Sequence, residues 1–194
     1  NLPTIYLIGD SHTAHYGSIM TNLAGKKEYN FIMHPRGKGL KLLEKSDEEY
    51  VLAPLREYKN NFNKGDIVIF AAHIEKYKNG KNWLKQYETF IQQTKSKELK
   101  FLLLSPTPTF PIILKEKSGY ICQKEWFRPS WAISPLCFGE VKKSEWFTSN
   151  IMAISQIEKF LLANPKVSYI DAFSILCPAQ YCKNHDQNSI LYRD

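Results

Sequence analysis

The stretch Ile5-Tyr6-Leu7-Ile8-Gly9-Asp10-Ser11-His12-Thr13 decides the fold of this 194-residue chain. Its apolar first half is typical of a buried strand, and Gly9 and Asp10 end that strand. The serine that follows predicts the start of a helix. Ser11 is thereby predicted at the C-terminal end of a strand and the N-terminal end of a helix, where unpaired backbone N–H groups stabilise an anion.

Ser11 at such a position has two interpretations. A nucleophilic serine needs a fixed backbone, an open approach and hydrogen-bond donors aimed at a developing oxyanion, and this position supplies them. The alternative is a serine that only caps the helix, with Asp10 as a turn residue. The triplet Gly9-Asp10-Ser11 by itself does not decide between the two.

The rest of the chain repeats a strand-then-helix pattern. Short apolar runs alternate with longer amphipathic stretches, which indicates a parallel sheet with helices on both faces. The predicted strands are 4–9, 30–34, 66–72, 100–105 and 167–171, with a short one at 189–192. The predicted helices are 11–23, 47–62, 83–96 and 145–163. The predicted fold class is α/β, a three-layer α/β/α arrangement with a mostly parallel central sheet, and residues 1–194 are expected to form a single domain.

Residues 106–143 interrupt this pattern with five prolines and six aromatic side chains. An irregular segment of this length is usually functional or disordered, and its aromatic content argues against disorder. Because it follows the fourth strand, we expect it over the C-terminal edge of the sheet, where open α/β folds bind ligands. Its aromatic rings would bind a sugar ring or an acyl chain, or would pack against one another around a disulfide.

The four cysteines are Cys122, Cys137, Cys177 and Cys182, and their spacing does not match a metal site. Four cysteines allow three pairings. The pairs Cys177–Cys182 and Cys122–Cys137 are favoured because each closes a local loop in a proline-containing segment. Disulfides indicate the periplasm or the cell exterior, whereas four free thiols would fit a cytosolic protein.

The net charge of +7 comes from lysines scattered along the chain. A basic surface suits anionic glycans or lipid headgroups, and it also occurs as a solvated surface without a partner. The chain has no recognised nucleic-acid motif, so nucleic-acid binding is not expected. No apolar run is long enough to span a membrane. The chain begins with Asn1 and shows no signal peptide, which predicts a piece of a larger, membrane-anchored parent.

Gly9-Asp10-Ser11 resembles block I of the GDSL-like, or SGNH, hydrolase superfamily. With His12 the motif is similar to the branch in which an SGNH domain follows an acyltransferase-3 membrane domain and O-acetylates cell-envelope sugars. The stretch Asp171-Ala-Phe-Ser-Ile-Leu-Cys177-Pro178 resembles the Asp…Cys-Pro…Cys run of that branch, with Cys182 as the second cysteine. In the family this run leads to a strand that ends in Asp-x-x-His, which Ile190-Leu-Tyr-Arg-Asp194 matches up to its aspartate.

The resemblance assigns roles to particular residues. Ser11 is the nucleophile, Asp194 is the triad aspartate, and the backbone N–H groups of Ser11 and Gly37 form the oxyanion hole, with Gly39 as the alternative to Gly37. The family's triad histidine would lie three residues after Asp194. The family's third block usually supplies an asparagine, whose place is taken here by His73.

His73 is therefore expected to act as an oxyanion donor or as a base, and Asp10 to support the site. The other histidines are expected to be structural or solvated; they are His12, His15, His34 and His185.

The resemblance implies serine-dependent transfer of an acyl group, chiefly acetyl, to or from hydroxyls of a cell-envelope polysaccharide through an acyl-enzyme on Ser11. It needs neither a metal nor an organic cofactor. The expected partners are an acylated donor, delivered by a membrane acyltransferase domain, and a glycan acceptor. The expected location is the periplasmic or extracellular face, with the parent tethered to the inner membrane. The alternatives are a secreted carbohydrate or lipid esterase and a catalytically degenerate glycan-binding domain.

Overall fold

The structure is a computed structural model that describes residues 2–10, 13–35, 48–78, 82–108, 140–183, 185–186 and 189–190. The strands are β1 (Thr4–Gly9), β2 (Asn30–Pro35), β3 (Ile67–Ala71), β4 (Lys100–Leu104), β5 (Glu140–Lys142), β6 (Val167–Ile170), β7 (Tyr181–Lys183), β8 (His185–Asp186) and β9 (Ser189–Ile190). The helices are α1 (Ala14–Lys26), α2 (Glu48–Tyr58), α3 (Trp83–Gln93), α4 (Lys143–Ser149), α5 (Ile151–Ala163) and α6 (Ala172–Leu176). Short 3-10 helices cover Ile74–Tyr77 and Lys95–Lys97.

The central sheet has five strands in the order β2-β1-β3-β4-β6, and every neighbouring pair is parallel. Each of these strands is short and apolar, as expected for strands that helices cover on both faces. The predicted α/β class with a mostly parallel sheet is confirmed. Because all neighbouring pairs are parallel, the C-terminal ends of the five strands lie at the same edge of the sheet.

Helices lie on both faces of this sheet. Leu7 of β1 belongs to the same hydrophobic cluster as Ala24 of α1. The next residue toward the N-terminus, Tyr6, packs its ring against Tyr58 of α2 and against Phe62, with ring centroids 5.6 and 4.8 Å apart. Because successive strand residues point to opposite faces, α1 covers one face and α2 covers the other.

An aromatic core fills the face of the sheet that α2 covers. Phe70 of β3 stacks on Tyr87 of α3, with ring centroids 4.1 Å apart. It also meets Phe90 of the same helix edge-to-face at 5.4 Å. Tyr87 in turn meets Phe160 of α5 at 6.4 Å. Helices α3 and α5 therefore share this face with α2.

A buried carboxylate closes the N-terminal end of the sheet. Asp66, just before β3, accepts hydrogen bonds from the backbone N–H of Thr4 and from that of Asn63, each at 2.8 Å. Asp66 is 1% exposed. One side chain thus joins the start of β1 to the turn that leads into β3.

The chain forms two compact units, residues 1–106 with 150–172, and residues 107–149 with 173–194. The first contains the five-stranded sheet. In the second, β5 pairs with β7 in an antiparallel ribbon, and Trp146 stacks on Phe173 with ring centroids 4.2 Å apart. The predicted Cys177–Cys182 disulfide is present and is confirmed. The predicted pair of Cys122 and Cys137 lies outside the described residues. The single domain stays a prediction.

The structure differs from several of the predicted elements, and strand β5 lies within the segment 106–143 that was predicted to be irregular. The predicted helix 145–163 is divided into α4 and α5, with the break at Asn150, whose backbone is not helical (φ −120°, ψ 13°). The predicted strand at 189–192 appears as β9, which pairs with β8 in an antiparallel hairpin. Among the described residues, no helix is both long and apolar enough to cross a membrane.

Candidate active site

Polar residues follow four neighbouring strands at the C-terminal edge of the central sheet. They are Asp10 after β1, His73 after β3, Ser105 after β4 and Asp171 after β6. Open parallel sheets bind their ligands outside this edge. The predicted candidates Asp10 and His73 are on neighbouring strands, since β1 pairs with β3.

Asp10 is held by the strand beside it. Its carboxylate oxygen Oδ2 accepts a hydrogen bond from the backbone N–H of His73 at 3.0 Å. Asp10 is 5% exposed, so little water competes for this bond. Hydrogen bonds to an ionised group are stronger than those between neutral groups. This bond fixes the segment that follows β3 against the residue that directly precedes Ser11.

A second bond closes the turn after Asp10. The backbone N–H of Thr13 donates to the Asp10 carbonyl at 3.1 Å, and the Thr13 hydroxyl donates to the same oxygen at 2.6 Å. Thr13 is fully buried and comes directly before α1. The residues on either side of Ser11 and His12 are thus joined to each other, as the fixed backbone of a nucleophile requires.

Gly9 is needed because β1 approaches β3 too closely for a side chain. A Cβ at this position would lie 1.6 Å from the carbonyl oxygen of Ala71 and 2.4 Å from Cγ2 of Thr13. The first of these atoms belongs to the backbone and cannot rotate away. The glycine of the triplet therefore has a packing role, and it allows Asp10 to reach the N–H of His73.

His73 is oriented by the turn it begins. It precedes the 3-10 helix Ile74–Tyr77, and its Nδ1 accepts a hydrogen bond from the backbone N–H of Glu75 at 3.4 Å. In a neutral imidazole, a nitrogen that accepts has no proton, so the proton is on Nε2. His73 in this arrangement is a donor through Nε2.

Two buried tyrosines lie close enough to Asp10 for its charge to act on their hydroxyls. Tyr77 ends the 3-10 helix that His73 begins, and Tyr87 lies on α3; both are buried. Burial raises the pKa of each hydroxyl, and the negative charge of Asp10 raises both further. The two hydroxyls are also close enough for each to affect the pKa of the other. Both tyrosines are therefore neutral over the physiological pH range.

A third tyrosine, Tyr16 of α1, adds to this group. Burial raises its pKa to about 12, and its hydroxyl raises the pKa of Tyr77. The hydroxyls of Tyr77 and Tyr87 interact with each other, which lowers the pKa of Tyr77 and raises that of Tyr87. All three tyrosines are neutral at physiological pH, and the charge of Asp10 acts on Tyr77 and Tyr87.

The far end of the same edge carries Ser105, Tyr169 and Asp171. The backbone N–H of Ser105 donates to the carbonyl of Ile170 at 2.9 Å, which extends the pairing of β4 and β6 beyond the strands. The pKa of Tyr169 is raised to about 12, first by burial and then by Asp171, while a hydrogen bond with Ser105 lowers it in part.

Several predicted site residues lie outside the described residues: Ser11, Gly37 and Asp194, with the alternative Gly39. Of the other histidines, His34 lies at the end of β2, where its Nδ1 is 3.7 Å from a carboxylate oxygen of Glu57. Its ring meets Tyr58 edge-to-face at 6.0 Å. Within the described part of the chain, no group of three or more His, Cys, Asp or Glu side chains is placed to hold a metal ion.

Sequence reasoning did not identify the tyrosines or Thr13. The spacing of Trp83, Tyr87 and Phe90 predicts one buried face of a helix, but it does not show that a hydroxyl lies near Asp10. Thr13 carried a detectable signal, because a threonine three residues after an aspartate often forms a local bond at a helix start.

Comparisons with known proteins concern the family and the fold. A family model described as an SGNH domain fused to AT3 domains matches residues 1–194. A solved structure described as "a putative SGNH hydrolase from Slackia heliotrinireducens" is similar in fold, with a TM-score of 0.54 and 12% sequence identity. The alignment covers 92% of this chain and 84% of that chain. A search of curated proteins gave no match.

Proposed function

Because this chain belongs to the family of SGNH domains fused to AT3 domains, we propose that it transfers an acyl group through a covalent intermediate on Ser11. The family supports a hydrolase or acyltransferase activity in general. The observation that carries the more specific proposal is the bond from the His73 N–H to the Asp10 carboxylate at 3.0 Å. This bond and the closed turn to Thr13 hold the two sides of Ser11 to the end of the sheet.

The reaction begins when the Ser11 hydroxyl oxygen attacks the carbonyl carbon of an acyl ester. The hydroxyl proton passes to a base, and the carbonyl oxygen becomes an oxyanion. Collapse of this intermediate breaks the bond to the leaving alcohol, which takes the proton, and leaves the acyl group on Ser11. A sugar hydroxyl then attacks the acyl-enzyme in the same way, and water in its place would make the protein an esterase.

We assign the base to the histidine that the family carries three residues after the position of Asp194. Asp194 would orient that histidine, and the N–H groups of Ser11 and Gly37 would donate to the oxyanion. Each such donor contributes about 3 kcal/mol to the stability of the transition state.

His73 is proposed as an additional oxyanion donor rather than as the base. A base must present an unprotonated nitrogen to the serine. The bond from the Glu75 N–H occupies the lone pair of His73 Nδ1, which leaves Nε2 protonated and able to donate. This is the role that the family's asparagine has, and we propose that His73 takes it in this chain.

An envelope polysaccharide is the proposed acceptor, and the periplasmic side the proposed location. The Cys177–Cys182 disulfide supports an oxidising compartment. The net charge of +7 suits an anionic polymer, and fusion to AT3 domains in the family supports a membrane-linked parent that supplies the acyl donor.

The test is hydrolysis of p-nitrophenyl acetate by three proteins: this chain, the chain extended by its native residues past Asp194, and the extended chain with Ser11→Ala. We expect turnover in the extended protein and its loss in the variant. With an N-acetylglucosamine oligosaccharide present, release of p-nitrophenol in excess of acetate would show transfer to the sugar.

Other outcomes would contradict parts of the proposal. Full activity in the shorter chain would move the base to a residue within 1–194, with His73 the first to test. An extended Ser11→Ala protein as active as its parent would exclude the acyl-enzyme. No turnover in any of the three, with retained binding of the oligosaccharide, would make the chain a glycan-binding domain.

A further inference from the structure

The edge of the sheet opposite the candidate site has a concentration of positive charge. Four loops enter the strands β2, β3, β4 and β6 at this edge, and they span residues 26–30, 59–66, 94–100 and 163–166. Together these 24 residues carry eight lysines and three acidic residues, which gives +5 of the chain's net +7. The lysines are Lys26, Lys27, Lys59, Lys64, Lys95, Lys97, Lys100 and Lys166. We call this surface the amino edge.

Of the three acidic residues of the amino edge, one does not present its charge to the solvent. Asp66 is buried and occupied by backbone N–H groups, so it does not face the solvent. Glu98 forms an ion pair with Lys64 at 2.7 Å, and Glu28 is exposed. The amino edge therefore presents mainly ammonium groups to the solvent.

Helix dipoles do not account for the arrangement. A lysine in the last turn of a helix is stabilised by the negative end of the dipole, and Lys26 of α1 has that position. The last turns of α3 and α5 contain no basic residue. Lys27 and Lys59 directly follow α1 and α2, where the dipole also favours a cation. Lys64, Lys97, Lys100 and Lys166 lie farther along the loops, where the dipole effect has largely decayed.

Exposed apolar side chains accompany the lysines. Leu162, in the last turn of α5, is 83% exposed, and Leu2, just before β1, is 51% exposed. Both leucines lie at the same edge of the sheet as the lysines, and exposed apolar side chains beside basic ones favour the interfacial region of a membrane.

We propose that the amino edge docks onto a bilayer that contains anionic lipids. The charge complements anionic headgroups, the leucines supply apolar contact, and the family's fusion to AT3 domains provides a reason for a membrane to be near. The strands of the sheet have four to six residues, so the C-terminal edge lies roughly 15–20 Å farther from the membrane. The proposal does not depend on the proposed reaction.

The test is cosedimentation of the 194-residue chain with vesicles of phosphatidylglycerol and phosphatidylcholine, compared with pure phosphatidylcholine vesicles. We expect binding to the anionic vesicles alone, decreasing as salt increases. Lys59→Gln with Lys100→Gln should weaken binding about 25-fold, since one lysine near an anionic surface contributes about fivefold. The matched control, Lys78→Gln with Lys85→Gln, removes the same charge after the 3-10 helix and from the first turn of α3, at the opposite end of the sheet, and should change binding little.

Each other result overturns the proposal. Equal weakening by the two pairs would show an effect of net charge rather than of this surface. Binding to neither vesicle, or equally to both, would exclude anionic lipid as the occupant. Binding to a soluble anionic polysaccharide but not to vesicles would assign the amino edge to a glycan. Circular dichroism of both variants ensures that lost binding is not lost folding.

Discussion

The two edges of the central sheet are formed by the same five strands but depend on different interactions. At the C-terminal edge, Asp10 and the tyrosines near it are buried, and bonds of about 3 Å position the residues around Ser11. At the amino edge, the lysines are mostly exposed, and no single lysine determines the charge of this surface. Buried polar contacts depend on exact geometry, whereas exposed charges act over several ångströms and add up. The comparison predicts that single substitutions change the first edge strongly and the second only in combination.

The largest effect is expected from Gly9→Ala. The new methyl group would overlap the Ala71 carbonyl oxygen, so β1 and β3 would have to separate. We expect a loss of about 3 kcal/mol or more in the free energy of unfolding, or failure to fold. Urea denaturation followed by circular dichroism measures it.

The control for this prediction is Gly25→Ala. A Cβ at Gly25, in the last turn of α1, meets no atom within 4 Å. Alanine in a helix is favoured over glycine by about 0.5–1 kcal/mol, so this variant should be as stable as the parent or more so. If both variants lose equal stability, the close approach of β1 and β3 is not the reason for Gly9.

The sequence predicted the position of Asp10 and His73 but not their contact. β1 was predicted with its observed bounds, Thr4–Gly9, because a buried parallel strand is an apolar run with sharp ends. The bond between Asp10 and His73 depends on the register that places Gly9 beside Ala71, and nothing local in the sequence specifies a register between distant strands.

The amino edge was not predictable from the sequence either. Its lysines are far apart in the chain and have the appearance of an evenly basic composition. Only the parallel topology, which places every loop that enters a strand at one edge, brings them together. The pairing of strands that are distant in the sequence thus determines which residues meet at both edges. Local sequence patterns determine only the strands and helices themselves.

The next largest effect on stability is expected from Asp66→Ala, a buried exception at the amino edge. The substitution leaves the N–H groups of Thr4 and Asn63 without their acceptor. An unsatisfied buried donor costs about 1–3 kcal/mol, and only the bond to Thr4 is fully buried, so we expect a loss of about 2 kcal/mol in unfolding free energy.

The same denaturation measurement, with Lys64→Ala as the control, checks this effect of Asp66. Lys64 is an exposed residue of the same loop, paired only at the surface with Glu98, and its loss should cost less than about 1 kcal/mol. Equal losses would show that burial of the carboxylate does not matter.

His73→Ala should affect activity and leave stability nearly unchanged. Loss of one oxyanion donor lowers kcat about 100-fold, while the backbone N–H that bonds Asp10 remains. In the extended protein, p-nitrophenyl acetate kinetics should show a lower kcat with little change in KM.

His73→Asn separates the two possible roles of His73. Asparagine can donate a hydrogen bond but cannot act as a base, so it should restore part of the lost kcat if His73 is an oxyanion donor. An asparagine variant as inactive as the alanine variant, with a pH–rate profile that has lost its acidic limb, would assign His73 as the base.

The smallest effect, and the one limited to alkaline pH, concerns the tyrosine hydroxyls with a raised pKa. Burial raises the pKa of Tyr16 to about 12, above its ordinary value of 10.0. The folded state therefore keeps a proton that the unfolded state loses, so this contribution is complete below pH 10 and is lost as the pH rises toward 12. The unfolding free energy of the parent should fall by about 2 kcal/mol as the pH rises from 10 to 12 because of Tyr16, and Tyr16→Phe should lack this decrease. Unfolding free energy measured against pH checks it. Tyr29→Phe, in the same unit and partly exposed, is the control. An identical change in both variants would mean that the hydroxyl of Tyr16 is hydrated rather than buried.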